Sequence, residues 1–152
     1  MKKIKSKILL TALAVLFVVS QVSAGTGELN WLTDYNKAKE VAHKKGLPIL
    51  VDFTGSDWCI WCIRLDENIL SKKEFIKYAN ENLVLLKLDF PRKTVQPAEL
   101  KKANNELAAK YGVRGFPTVL LLDKTGKEVG RTGYQDMTPA EYVKHIESFV
   151  KK

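Results

Sequence analysis

The chain has 152 residues, 45% of them hydrophobic and 28% charged, which is the size and balance of one globular domain. Its formal charge is +8, and the four lysines among the first seven residues (Lys2, Lys3, Lys5, Lys7) supply half of it; the remainder is a solubility charge rather than a nucleic-acid footprint. Disordered, collagen-like and multi-span membrane chains are excluded, and two cysteines with two histidines cannot build a four-cysteine zinc site or a dense disulfide framework.

Residues 1–24 read as a cleavable secretory signal. The lysines give a positive start, Ile8 to Val19 is apolar apart from Thr11, and Ser20-Gln21-Val22-Ser23-Ala24 places small residues before a cut after Ala24. The competing reading is an uncleaved anchor, but the apolar run is shorter than the roughly 20 residues that span a bilayer. No cysteine follows the run to carry a lipid. The expected location is periplasmic or secreted, where a disulfide persists. Residues 25–45 are expected to be a leader and a helix, and 46–152 the main domain.

Trp31, Tyr35, Ala38 and Ala42 recur at helical spacing, predicting a helix over 33–45 that Gly46 ends. Pro48 to Phe53 is a short apolar run, read as a buried strand. After the loop Thr54-Gly55-Ser56-Asp57, the residues Trp58, Cys62, Leu65 and Ile69 form one core-facing helical stripe. Ser71 and Glu74 have the spacing of a capping box opening a second short helix. A strand over 83–90, a polar connection over 91–97 and a helix over 98–110 follow, with Leu100, Ala103 and Leu107 inward. A hairpin is expected from Thr118–Asp123 and Lys127–Thr132. Thr138 and Pro139 open a last helix carrying Tyr142, Ile146 and Phe149 inward. This order predicts an α/β domain with a mixed four-stranded central sheet and helices on both faces.

Cys59 and Cys62 flank Ile60-Trp61 where loop meets helix, and at that spacing two sulfurs reach bonding distance. Cys62 lies on the buried stripe. Cys59 sits at the helix start, where free N–H groups and the dipole favour an anion, so Cys59 is the expected attacking thiolate and Cys62 the resolving thiol. A static disulfide and half of a metal site are the competing readings. His43 and His145 lack ligand spacing to the cysteines, and neither a metal nor a cofactor is expected. Asp52 stands in an apolar strand, where burial would raise its pKa. The negative charge of Asp57 would oppose thiolate formation at Cys59.

Over residues 46–150 the sequence resembles the thioredoxin family. Ile49-Leu50-Val51-Asp52-Phe53 ahead of Trp58-Cys59 is similar to the family's central strand leading into Trp-Cys-x-x-Cys. Tyr111-Gly112-Val113-Arg114-Gly115-Phe116-Pro117-Thr118 resembles its cis-proline segment. Lys87 matches the lysine of the neighbouring strand, and Gly133 a late family glycine. The resemblance implies a thioredoxin-like fold and a thiol:disulfide interchange protein. It implies a cis Pro117 beside the sulfurs, a Phe116 backbone free to pair with a substrate strand, Asp52 as proton acceptor near Cys62, and Lys87 balancing its charge. The loop after Phe53 is one residue longer than in thioredoxin, which could shift Asp52 relative to Cys62. Trp58, Ile60, Trp61, Phe116 and Pro117 are the expected substrate contacts, with Trp58 and Trp61 as an apolar collar.

The pair Ile60-Trp61 lacks the histidine that isomerases and the strong periplasmic oxidant carry before the second cysteine, so no imidazolium stabilises the Cys59 thiolate. Couples of this kind range from about −270 mV for thioredoxin to about −120 mV for the strong oxidant, and the missing histidine argues for the reducing end. The expected partners are disulfide-containing exported proteins and a membrane electron donor, with no nucleic acid, and the expected state is a monomer. A fold-retaining peptide-binding module without turnover is the alternative.

Overall fold

The apolar run from Ile49 to Thr54 lies at the centre of the molecule, with every residue buried. Around it the computed structural model describes residues 27–151; the expected signal segment and its cut site lie outside them. In chain order the elements are β1 (Trp31–Leu32), α1 (Tyr35–Lys45), β2 (Ile49–Thr54), α2 (Ile60–Leu65), a π-turn (Asp66–Leu70), α3 (Lys73–Asn82), β3 (Val84–Asp89), α4 (Ala98–Lys110), β4 (Thr118–Leu122), β5 (Glu128–Thr132) and α5 (Pro139–Val150).

The sheet order is β1-β3-β2-β4-β5. β3 runs parallel to both β1 and β2, while β4 is antiparallel to β2 and to β5. The mixed sheet is therefore as expected, with one more strand. The addition is β1, where Trp31 and Leu32 pair with Leu85 and Leu86. Two residues are too few for an alternation signal, and Trp31 also fits the helical spacing of Tyr35 and Ala38. The helix itself starts later, with Asp34 as its cap accepting the Lys37 N–H at 3.0 Å.

Alternation along β2 divides the core into two layers. Leu50 packs on one face with Leu65, Ile69, Phe75, Leu121, Tyr142 and Ile146. Ile49, Val51 and Phe53 pack on the other with Ala38, Ala42, Leu86 and Leu120. Burying one such large apolar side chain contributes roughly 1.5–3 kcal/mol. Asp52 follows Leu50 by two residues, so it falls on the face that α2 covers. Lys87 stands opposite it in register.

Three local expectations are corrected. Ser71 does not cap α3; Lys72 occupies that position without a side-chain bond. The preceding helix runs on as a π-turn, and the Ser71 hydroxyl donates back to the Glu67 carbonyl at 3.1 Å. The wider turn lets consecutive Ile69 and Leu70 both face inward. Trp58 precedes α2 instead of starting its stripe, because Cys59 is the helix cap. In α4 the most buried residue is Asn104, which donates to the Asp89 carbonyl at 3.0 Å, whereas Ala103 is exposed. The capping box at Thr138 and Glu141 forms as read.

Gly133 lies against the segment preceding β4: a Cβ there would sit 2.8 Å from the Pro117 carbonyl oxygen, whereas a Cβ at Gly115 would meet nothing. Gly133→Ala is expected to destabilise the protein by about 1–3 kcal/mol, and Gly115→Ala by less than about 0.5 kcal/mol. Urea unfolding of the two variants checks this.

Candidate functional site

β2 delivers the chain to a tight loop at its carboxyl end. The Trp58 and Cys59 N–H groups both donate to the Gly55 carbonyl, at 3.2 and 2.8 Å. Gly55 is required there, because a Cβ would approach the Trp58 ring to 2.5 Å. The Trp58 indole N–H donates to the Phe90 carbonyl at 2.8 Å, and its ring meets the edge of Phe116 at 5.9 Å. Phe116 in turn packs on Phe90 at 4.9 Å. These contacts join the loop before α2 to the Phe116–Pro117 segment, whose peptide bond is cis, in agreement with the sequence reading.

Cys59 is the N-cap of α2, and its sulfur accepts the Cys62 N–H at 3.2 Å. The two cysteines are disulfide-bonded with Cα atoms 5.2 Å apart, a separation that disulfides span. Cys62 Sγ also accepts the Gly55 N–H at 3.5 Å. In this bridged form both are nearly covered, Cys59 at 6% and Cys62 at 4% exposure. Their surroundings differ. Ile60 and Trp61 stand out into solvent at 55% and 48%. Cys62 instead faces a cavity of about 170 Å³, shared with Asp52, Thr54, Ser56, Asp66 and Lys87.

Asp52 thus reaches the Cys62 side of the site despite the longer loop. Its side chain is buried and its Oδ1 has no hydrogen-bond partner. Burial raises its pKa from 3.8 to about 7; the Lys87 charge opposes this, and Asp66 and Asp89 reinforce it. Desolvation outweighs the lysine because the Lys87 amine makes no direct bond to Asp52. It lies 3.9 Å from Asp66 Oδ1 and 4.8 Å above the Trp31 ring.

Asp57 adopts a role its sequence position does not reveal. Its carboxylate accepts the N–H groups of Arg92, Lys93 and Thr94 at 3.0, 2.8 and 2.9 Å. Those bonds, that of Arg92 foremost, hold its pKa below the usual carboxylate value. The polar connection over 91–97 is therefore tethered beside the cysteines. The Arg92 guanidinium lies 3.5 Å from the Trp58 ring centroid, and Arg64 lies 4.7 Å from that of Trp61. Trp61 also packs on Tyr134 at 5.2 Å. The contacts of Arg92 and Tyr134 have no signature in local spacing, whereas Arg64 follows Trp61 by three residues on α2 and is its helical neighbour. Each tryptophan of the expected apolar collar carries a cation over its ring. Among the described residues no cluster of His, Cys, Asp and Glu could hold a metal, and no helix is long and apolar enough to cross a membrane.

Comparison with known proteins agrees with this geometry. The family profile for a thioredoxin-like domain matches residues 35–149. The disulfide bond reductase DsbH of Chlamydia pneumoniae is 40% identical over 123 residues, covering 81% of this chain and 74% of that protein. The thiol:disulfide interchange protein DsbD of Yersinia pestis is 27% identical over 111 residues, which is 71% of this chain but only 17% of that protein. The solved structure of a DsbH oxidoreductase superposes with a TM-score of 0.78 at 35% identity, over 97% of this chain and 95% of its own.

The burial of Asp52 carries a stability consequence. Between pH 4 and 7 the folded protein holds a proton that the unfolded chain has lost, so stability falls as pH rises through that window. In the oxidised protein, Asp52→Asn is expected to be more stable than the parent by about 2–4 kcal/mol at pH 8, with the gain vanishing below about pH 4. Denaturant unfolding at the two pH values tests the sign.

Proposed function

The chain belongs to the thioredoxin-like family, and from that premise we propose that it is an exported thiol–disulfide oxidoreductase that reduces or isomerises protein disulfides. The observation that carries the reading is the Cys59–Cys62 pair at the mouth of α2, with one sulfur capping the helix and the other backed by a polar cavity.

In the reduced protein the Cys59 thiolate attacks one sulfur of a substrate disulfide. A mixed disulfide forms and one substrate thiolate leaves. The N-cap position favours the attacking anion, since unpaired N–H groups and the helix dipole face it. Cys62 then loses its proton, attacks Cys59 Sγ and releases the second substrate thiol, leaving the bridge seen here. Two electrons have passed to the substrate, and a dithiol donor must return them; a membrane electron donor is the proposed source. Asp52, with its pKa near neutrality, accepts the Cys62 proton. The cavity between them is polar and large enough to admit water for the transfer. Lys87, in register with Asp52, limits how far its pKa rises. The half-exposed Ile60 and Trp61, together with Trp58, Phe116 and Pro117, form the wall on which a substrate chain lies.

A peptide-binding module that kept the fold without turnover would have no use for an unpartnered acid beside the inner sulfur. A relative named as a disulfide bond reductase supports electron flow toward substrate. So does the absence of a histidine between the cysteines.

The purified reduced protein is expected to reduce insulin disulfides, and Cys59→Ser to abolish that activity. Cys62→Ala should accumulate a mixed disulfide at Cys59. The Cys59–Cys62 couple should equilibrate below the isomerase value of about −180 mV. A potential near that of the strong oxidant, about −120 mV, would reverse the direction assigned here. A bridge that resists reduction below about −300 mV, without insulin turnover, would mark it as structural.

A further inference from the structure

Only four of the chain's 25 basic residues are arginines, and their placement is not that of general surface charge. Arg131 is committed to Glu128, donating to both carboxylate oxygens at 2.9 and 2.8 Å. Arg64 and Arg92 lie over the rings of Trp61 and Trp58, the residues immediately preceding the two cysteines. Arg114 is exposed two residues ahead of Phe116. A lysine can also lie over an indole, as Lys87 does over Trp31, but it brings no planar fork of N–H donors. A planar guanidinium packs on an indole face and keeps its N–H edge directed outward, whereas an ammonium is a solvated point charge. Among the described residues, neither the Arg64 nor the Arg92 guanidinium donates a hydrogen bond or joins an ion pair, so both forks remain unused.

The nearby acids do not cancel these cations. Asp57 is committed to the backbone of residues 92–94, which also fixes the segment bearing Arg92. Asp66 is turned to Lys87 at the cavity behind Cys62. Glu67, three residues beyond Arg64 and lining that same cavity, and Asp136, exposed two residues beyond Tyr134, make no ion pair with either guanidinium. The exposed Ile60 and Trp61 add apolar surface to the same rim.

We propose that Arg64 and Arg92 make this rim a reader of acidic polypeptide, so that the partner docking over the cysteines presents Asp or Glu on both sides of its reacting cysteine in an extended segment. Each guanidinium offers a carboxylate a bidentate fork, held in place by the indole beneath it. The inference rests on the dithiol reading for its purpose, but the recognition step needs no sulfur chemistry.

The test uses the oxidised protein and two extended peptides of one frame, with serine at the cysteine position, flanked by glutamates in one and lysines in the other. Binding is followed by chemical shifts of the Trp58 and Trp61 indole N–H groups. The glutamate peptide is expected to bind at least about tenfold more tightly at low salt, and the ratio to shrink as salt screens the charges. Arg64→Gln with Arg92→Gln should bring the ratio below about twofold, and Arg64→Glu with Arg92→Glu should invert it. Both side chains lie on the surface, so these variants retain the core. Equal binding of the two peptides, or full selectivity in the double Gln variant, overturns the proposal. The same peptides carrying cysteine as a mixed disulfide with a small thiol are given to the reduced protein in parallel. If neither is reduced, the oxidoreductase reading fails, while the binding ratio still decides the role of the rim.

Discussion

The site depends on one sulfur standing where a helix needs an acceptor. A helix begins with N–H groups that have no partner within it, and serine, threonine, aspartate or asparagine normally satisfies one of them. Here Cys59 does so, accepting the Cys62 N–H at 3.2 Å. That bond ties three features together. It sets the helix start, brings the two sulfurs within bonding distance, and directs backbone donors at the atom that carries negative charge in the proposed mechanism. Cys62, one turn on, is turned inward by the same geometry.

The second constraint follows from the sheet. Strand alternation puts Asp52 and Lys87 on the face covered by α2, and the parallel register of β2 and β3 sets them opposite one another. The pair is unequal: Asp52 is buried, whereas Lys87 reaches outward to Asp66 and the Trp31 ring. A carboxyl with an unpartnered oxygen and a pKa of about 7 lowers stability at neutral pH. In the proposed mechanism it also provides a group that can take up a proton near neutral pH, beside the thiol that loses one. A local sacrifice of stability of this kind is common where pKa values serve chemistry.

The fold was legible wherever one rule of local chemistry acted alone. The helix over 98–110 has its read bounds, and Thr138 and Glu141 form their capping box, because Pro97, Gly112 and Pro139 mark boundaries that tertiary contacts do not contest. The Cys59 cap and the buried Cys62 followed from loop position and helical spacing. Ser71 misled because its capping signal competed with a π-turn that buries Ile69 and Leu70 together. β1 was hidden by its length. Asn104 was hidden because its partner, the Asp89 carbonyl, lies on another element. The same reason concealed the tether from Asp57 to residues 92–94 and the stacking of Arg92 on Trp58. From sequence, Asp57 is only a charge two residues from Cys59; in three dimensions its carboxylate is turned to another loop and its field is taken up by three N–H donors.

The division of labour between the two sulfurs is the claim on which the mechanism stands. Its most direct test is the pH dependence of alkylation in the fully reduced protein, with each cysteine followed separately by mass spectrometry. The account predicts that Cys59 reacts first, with an apparent pKa below the free-thiol value of about 8.5, while Cys62 reacts at least about tenfold more slowly at neutral pH. Equal rates at the two sulfurs, or faster modification of Cys62, would contradict it.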